Sequence, residues 1–220
     1  MSRRFLLFDL DGTLTDPAEG ILGGVIFAMK KTGVPVPDQT TLESFIGPPL
    51  IPHFQEVCGV SYDTAVEMLA AYREYFAPRG IYENRVYPGI PEMLDALRAA
   101  GYVTAVATSK PEPFAETILT YFGLRERFDY VCGSTLDETR NKKEEVVAYA
   151  LSRMGATPEE AVMIGDRSYD VVGAAACGLP CVGVLYGYGS RKELEDAGAC
   201  ALADSVPHLT DLLKTTFPLV

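Results

Sequence analysis

Short apolar runs alternate with helix-length segments along most of the chain. Each run is four to six residues long and ends in polar or turn-forming residues, as expected of a strand buried on both faces of a parallel sheet. The predicted strands cover residues 5–8, 103–108, 128–131, 161–164 and 181–185, of which 128–131 contains the charged residue Asp129. Strands that alternate with helices predict an α/β fold whose parallel sheet is built with right-handed crossovers.

Apolar residues at helical spacing predict the helices between these strands. They cover residues 92–100, 111–122, 142–154 and 169–176, and a last helix starts at Asp204 or Ser205. A glycine follows each of the first four, which is typical of a helix C-terminus. The first strand therefore has no partner strand before the one at 103–108.

Residues 17–82 follow a different pattern, because helical spacing occurs there without a convincing strand. The predicted helices cover 17–31, 41–45, 50–57 and 63–76. We expect Asp16 to cap the first of them, with Pro17 as its first residue. The chain is thus predicted to hold a core of residues 1–16 and 83–220 and an all-helical cap of residues 17–82, which can act as a lid.

The composition excludes several classes of function. Thirty acidic residues against 19 basic ones give a net charge of −11, which argues against nucleic-acid and anionic-membrane partners. No apolar stretch approaches the roughly 18 residues of a membrane span, and the N-terminus lacks a signal-peptide pattern. Five cysteines without a Cys-x-x-Cys spacing are typical of free thiols in a reducing compartment, so we expect a cytoplasmic protein.

Two aspartates, Asp9 and Asp11, directly follow the first apolar run and precede Gly12. Ligands of open α/β sheets bind outside the carboxyl ends of the strands, where this pair is predicted to lie. Two carboxylates so close together repel each other unless a cation or a proton intervenes, and Mg²⁺ prefers oxygen ligands beside a phosphate. Gly12 permits a sharp bend and the approach of backbone N–H groups to an anion. The alternative is a solvated Asp-Gly turn.

Polar residues also lie at the ends of two later strands and at the start of one helix of the predicted core. Thr108 and Ser109 end the second strand, where a hydroxyl and a backbone N–H can bind phosphate, although such residues are common in turns. Lys142 and Lys143 open a helix, where one of them can neutralise a phosphate or both can be solvated. Asp166 follows the fourth strand and either completes a Mg²⁺ site or caps a helix; Asp170 lies one helical turn further on.

Together these segments resemble the four motifs of the haloacid dehalogenase-like hydrolases, in order and over nearly the whole chain. The first motif, Phe8-Asp9-Leu10-Asp11-Gly12-Thr13, carries the most specific part of the resemblance. The helical cap between the first and second motifs, and Gly187-Tyr188-Gly189-Ser190 after the last strand, are similar to the phosphoglycolate phosphatase-like branch. This resemblance implies a Rossmann-like parallel sheet core with an inserted all-helical cap.

The resemblance also implies a mechanism and a role for each matching residue. Asp9 is expected to form an aspartyl-phosphate, and Asp11 to protonate the leaving alcohol and then activate water. Phosphate is expected to contact Gly12, Thr108, the Ser109 backbone and Lys143, and the family pattern often has Asn where this chain has Ser109. The spacing to Val146 and Val147 favours Lys143 over Lys142. The expected metal site lists Asp9, the Asp11 carbonyl, Asp166 and Asp170.

Several alternatives concern the reaction and the substrate. Asp11 disfavours a dehalogenase, whose halide leaves without an acid. The absence of Lys from residues 43–72 disfavours a Schiff-base phosphonate hydrolase, and Gly20, Ile21 and Leu22 lie where a hexose-phosphate mutase places a cap histidine. We therefore expect a Mg²⁺-dependent phosphatase acting on a small phosphorylated metabolite, most similar to a phosphoglycolate phosphatase.

A 5′-nucleotidase and a pyrophosphatase are the alternative enzymes, and an inactive phosphate-binding relative is the non-enzyme alternative. For a nucleotide, Phe45 and Phe54 are candidates to cover the base. The loop at Gly47 is predicted either to face the substrate or to act only as a helix connector. The oligomeric state is left open between a monomer and a homodimer.

Overall fold

The computed structural model describes residues 4–218, which divide into two compact units. In the described part of the chain, one unit contains residues 4–16 and 86–218, and the other contains Pro17–Arg85. No helix in the described part of the chain is both long enough and apolar enough to cross a bilayer.

The strands belong mainly to the first unit. In chain order they are β1 (Phe5–Phe8), β2 (Thr15–Asp16), β3 (Arg85–Val86), β4 (Val103–Pro111), β5 (Tyr130–Ser134), β6 (Ala161–Gly165), β7 (Cys181–Val184) and β8 (Ala201–Ala203). Six of them form one parallel sheet in the order β5-β4-β1-β6-β7-β8. Phe5 of β1 pairs with Val103 on one side and with Ala161 on the other. The prediction of an α/β fold with a Rossmann-like parallel core is confirmed.

The described residues form ten α-helices. In chain order they are α1 (Ala18–Thr32), α2 (Gln39–Glu43), α3 (Leu50–Cys58), α4 (Tyr62–Phe76), α5 (Ile90–Ala99), α6 (Glu112–Tyr121), α7 (Lys143–Met154), α8 (Ser168–Ala176), α9 (Arg191–Ala197) and α10 (Val206–Thr216). The helices α1 to α4 lie in the second unit, and the others lie in the first.

The central strands are apolar because helices cover the sheet. Leu7, Ala105 and Met163, on the three neighbouring strands β1, β4 and β6, are fully buried in one cluster with residues of α7 and α8. A strand without a solvated face has few polar positions before its end, which explains the largely apolar runs in the sequence.

The second unit is helical, and four of its aromatic residues are buried: Phe45, Phe54, Tyr72 and Phe76. Phe45 and Phe54 are buried, and their ring centroids lie 5.2 Å apart. Neither ring therefore presents an open face, so the expectation that these two side chains cover a nucleotide base is wrong.

Ser61 caps α4 by accepting a hydrogen bond from the backbone N–H of Thr64 at 3.2 Å.

The structure corrects several element predictions. Asp16 does not cap α1: Pro17 occupies the cap position without a side-chain bond, and the Asp16 carboxylate accepts a hydrogen bond from the Tyr188 hydroxyl. The predicted strand at 128–131 starts instead at Tyr130, and β4 continues beyond 108 to Pro111.

Sequence reasoning missed α9, β8 and the two-residue strands β2 and β3. Only Leu194 of α9 is buried, so this helix carries no apolar period, and β8 is a three-residue edge strand without a β-branched residue.

Candidate active site

The first unit brings the polar ends of β1 and β6 to the same edge of the sheet. These strands are parallel neighbours, with Phe8 opposite Ile164. The backbone N–H of Asp9 continues the ladder by donating to the Ile164 carbonyl at 2.9 Å. Asp9 follows Phe8, the last residue of β1, and Asp166 follows Gly165, the last residue of β6, so the strand register brings both aspartates to the same edge of the sheet.

Three buried carboxylates meet there. One oxygen from each of Asp9, Asp166 and Asp170 lies within 4.8 Å of the other two. Burial, reinforced by the charges of Asp170 and Asp9, raises the pKa of Asp166 well above its ordinary value. Burial likewise raises the pKa of Asp170 to about 6, although Lys143 opposes the shift. Repulsion among buried oxygen donors is what a hard divalent cation relieves, so these residues fit a Mg²⁺ site.

Lys143 supplies positive charge to this cluster. Its buried ammonium lies 2.8 Å from Asp9 Oδ1 and 2.7 Å from Asp170 Oδ1, and it donates to the Ala107 carbonyl at 3.0 Å. Burial alone would lower the pKa of Lys143, but Asp170 and Asp9 raise it above its ordinary value, so the side chain stays charged. Lys142, at the N-cap of α7, is exposed.

Asp11 is paired with a residue that the sequence analysis did not select. Its Oδ2 lies 3.0 Å from the Nζ of Lys110, and both side chains are buried. Its Oδ1 is buried without a hydrogen-bond partner. Burial raises the pKa of Asp11 while Lys110 opposes the shift, so the carboxyl holds a proton more readily than an exposed one. The only sequence signal for Lys110 is its position directly after Thr108 and Ser109.

The remaining candidate residues have different surroundings. Thr108 is buried, and its Oγ1 accepts a hydrogen bond from the backbone N–H of Lys110 at 3.2 Å, whereas Ser109 is half-buried. Gly12 has a φ of 80°, and its backbone N–H already donates to the Thr15 carbonyl at 2.7 Å. Gly47 lies between α2 and α3 in the other unit. Gly12 therefore contributes a tight turn, since its own amide is engaged.

Asp166 has two further neighbours within the first unit. The backbone N–H of Tyr188 donates to its Oδ2 at 2.8 Å, and the Thr13 hydroxyl lies 3.4 Å from its Oδ1. The residue at the N-cap of α8 is Arg167, so the alternative of Asp166 as a helix cap is wrong.

Glu193 of α9 holds the segment after Asp166. Its Oε1 accepts hydrogen bonds from the Arg167 Nε at 3.0 Å and from the Ser168 backbone N–H at 2.9 Å. Burial acts to raise the pKa of Glu193, but these donors outweigh it and leave the pKa below its ordinary value of 4.5. The ionised carboxylate therefore stabilises the fold.

We expect Glu193→Gln to lower the free energy of unfolding by about 1 kcal/mol at pH 7, since this charged hydrogen bond is partly solvated. A lowered pKa stabilises above the unfolded value and loses its effect as the pH falls through the folded value. The two proteins should therefore converge in stability as the pH falls below 4.5. Urea denaturation across this range measures the difference, and the exposed Glu195→Gln is the control. A difference that grows towards low pH would contradict the assignment.

Comparison with known proteins places the chain in a family. Residues 6–184 match the family model of haloacid dehalogenase-like hydrolases. A 5′-nucleotidase of Pseudomonas aeruginosa is 48% identical over 189 residues, which cover 86% of each chain. The tyrosine-protein kinase PtkA of Mycobacterium tuberculosis is 42% identical over 188 residues, which cover 86% of this chain and 64% of that protein.

More distant relatives and solved structures agree with this placement. A phosphoglycolate phosphatase of Yersinia pestis is 28% identical over 218 residues, which cover 96% of this chain and 91% of that one. The crystal structure of a predicted phosphatase from Clostridium acetobutylicum superposes with a TM-score of 0.94 at 43% identity, covering 97% of this chain and 99% of the other. The chain belongs to the haloacid dehalogenase-like hydrolase family. Together with the relatives named 5′-nucleotidase and phosphoglycolate phosphatase, this membership supports the assignment of the chain as a phosphoric monoester hydrolase.

Proposed function

We propose that this protein is a Mg²⁺-dependent phosphatase that hydrolyses a small phosphomonoester through an aspartyl-phosphate on Asp9. The observation that carries the proposal is the buried group of Asp9, Asp166 and Asp170, with the Lys143 ammonium bonded to two of its members. Such an arrangement suits a phosphoryl group, whose transfer depends on positioning and on neutralisation of charge.

Asp9, Asp166 and the main-chain carbonyl of Asp11 are the proposed Mg²⁺ ligands, and Asp170 completes the acidic group around them. When bound, the ion supplies charge neutralisation between the attacking carboxylate and the phosphate. The Lys143 ammonium would also neutralise charge between Asp9 and the phosphate, since its Nζ contacts Asp9.

In the proposed first step, a carboxylate oxygen of Asp9 forms a bond to phosphorus while the bond to the leaving alcohol breaks. The leaving oxygen takes its proton from Asp11, whose raised pKa suits an acid. In the second step a water molecule attacks phosphorus, Asp11 takes its proton, and Asp9 is released with inorganic phosphate. Lys110 fixes the Asp11 carboxylate, and the Thr108 hydroxyl and the Ser109 backbone are the proposed phosphate donors.

A nucleoside 5′-monophosphate is the substrate class that we propose first. Its support is the 48% identity over 86% of the chain to a protein named 5′-nucleotidase. Phosphoglycolate is the second candidate, supported by the 28% identity to a protein named for that substrate. Because Phe45 and Phe54 are buried against each other, base recognition requires other side chains.

Phosphate release from p-nitrophenyl phosphate, with and without Mg²⁺, tests the reaction. We expect turnover that EDTA abolishes and Mg²⁺ restores. The same assay over about a hundred phosphorylated metabolites then ranks kcat/KM, with nucleoside monophosphates expected above phosphoglycolate and pyrophosphate by tenfold or more. Turnover that is indifferent to Mg²⁺ would contradict the mechanism, whereas preference for phosphoglycolate would overturn only the substrate assignment.

A further inference from the structure

The loop that follows β7 encloses Asp166 closely. A Cβ on Gly187 would lie 2.4 Å from the Cβ of Asp166, and a Cβ on Gly189 would lie 1.9 Å from its carbonyl oxygen. Both distances are too short for any side chain, so these positions require glycine. Between them, the Tyr188 backbone N–H donates to Asp166 Oδ2 at 2.8 Å.

The aromatic side chains of the same loop attach it to the segment after β1. The Tyr188 hydroxyl donates to the carboxylate of Asp16, and the Tyr186 hydroxyl donates to the Thr13 carbonyl at 3.1 Å. Burial and the bond to Asp16 raise the pKa of Tyr188 above its ordinary value, so its hydroxyl remains a donor. The loop therefore bonds to Asp166 through its backbone and to the end of β2 through a side chain.

We propose that Tyr188 is a positioning residue: its hydroxyl bond to Asp16 holds the loop so that its backbone N–H orients the Asp166 carboxylate. This inference rests on the proposed role of Asp166 as a metal ligand. It assigns a task to Gly187, Tyr188 and Gly189, which the mechanism above does not use.

The two glycines have opposite effects on the position of the loop. They permit the close approach to Asp166, but glycine leaves a loop with more backbone freedom than other residues do. A side-chain anchor between them restricts that freedom, so the Tyr188 N–H stays directed at Oδ2. With Oδ2 occupied and Thr13 at a longer distance from Oδ1, the rotation of the carboxylate about its χ angles is limited. Groups that hydrogen-bond to the ligands of a metal tune the affinity of the protein for that metal.

Tyr188→Phe tests the proposal because it removes the hydroxyl and keeps the ring and the backbone N–H. We expect the affinity for Mg²⁺, measured by calorimetry without substrate, to weaken about tenfold. This is the low end of the range for groups that support a metal ligand by a hydrogen bond. We expect kcat to fall by a similar factor at subsaturating Mg²⁺, while KM for p-nitrophenyl phosphate changes less than twofold. Tyr102→Phe is the matched control, since it removes a hydroxyl that donates to the Phe217 carbonyl at 2.9 Å.

A double-mutant cycle with Asp16→Ala separates the Tyr188–Asp16 bond from the other contacts of Asp16. The double variant should bind Mg²⁺ no more weakly than whichever single variant has the lower Mg²⁺ affinity. Asp16→Asn keeps a hydrogen-bond acceptor and should therefore bind Mg²⁺ more tightly than Asp16→Ala. Additive losses, or Tyr188→Phe matching wild-type affinity, would overturn the positioning role. If the wild-type protein itself bound no Mg²⁺ and released no phosphate, the proposed function would fail instead.

Discussion

Replacing Asp9 with asparagine should reduce the turnover of p-nitrophenyl phosphate by at least about a thousandfold, as for other residues that act as the nucleophile. An amide oxygen does not form the covalent phosphoryl intermediate, so the two-step route is closed. The fold should persist, because the side chain keeps its shape and the loss of one charge relieves repulsion with Asp166 and Asp170. Lys143 retains its pair with Asp170 at 2.7 Å.

Phosphate release and mass spectrometry of the acid-quenched protein measure this effect. Wild-type protein should carry one phosphoryl group during turnover, and Asp9→Asn should carry none. Asp95→Asn is a suitable control, since Asp95 is exposed and pairs with Arg127. Turnover of Asp9→Asn within tenfold of wild type would exclude Asp9 as the nucleophile.

Replacing Lys143 with methionine should affect both stability and activity. The ammonium contacts two buried carboxylates, so its removal leaves their charges uncompensated. Loss of one partner of a buried ion pair costs about 3–5 kcal/mol, and we expect a destabilisation in that range near pH 8. Turnover should fall by about a hundredfold or more, because the attacking carboxylate and the phosphate lose a shared cation.

The pH dependence of this variant follows from the same charges. Lys143 opposes the rise in the pKa of Asp170, so its loss lets Asp170 bind a proton more readily. Because burying a protonated carboxyl costs less free energy than burying a carboxylate, the destabilisation should be smaller at pH 5 than at pH 8. Urea denaturation at both values measures it, with the exposed Lys142→Met as control. Equal stability of the two variants would refute a role for Lys143 in balancing the buried charge.

The local pattern of the sequence predicted the core because burial on both faces leaves a simple signature. Apolar runs marked β1, β6 and β7 closely and the start of β4, and the polar residues after them identified Asp9, Asp11 and Asp166 as candidates. The family motif, read around Asp9, then predicted the family and the α/β fold, which the comparisons and the sheet confirm. Errors concentrated at element ends and in α9 and β8, where few residues are buried.

Pairing between distant segments was not readable from that pattern. Lys110 follows two hydroxyl residues without any periodic signal, yet it lies 3.0 Å from Asp11. Asp16 is a residue type that often caps helices, but its carboxylate accepts a hydrogen bond from the Tyr188 hydroxyl instead. Phe45 and Phe54 had the chemistry to cover a base, but they are buried against each other.

By itself, the sequence determined most strands and helices of the core and which family the chain belongs to, because apolar spacing and a short motif are local properties. Only the tertiary structure decided which carboxylates share the Lys143 ammonium, which cation pairs with Asp11, and which loop encloses Asp166. Those pairings depend on the order and register of strands that are far apart in the chain. The free energy of a buried charge depends on the groups that surround it in space, and neighbouring residues in the sequence do not specify them.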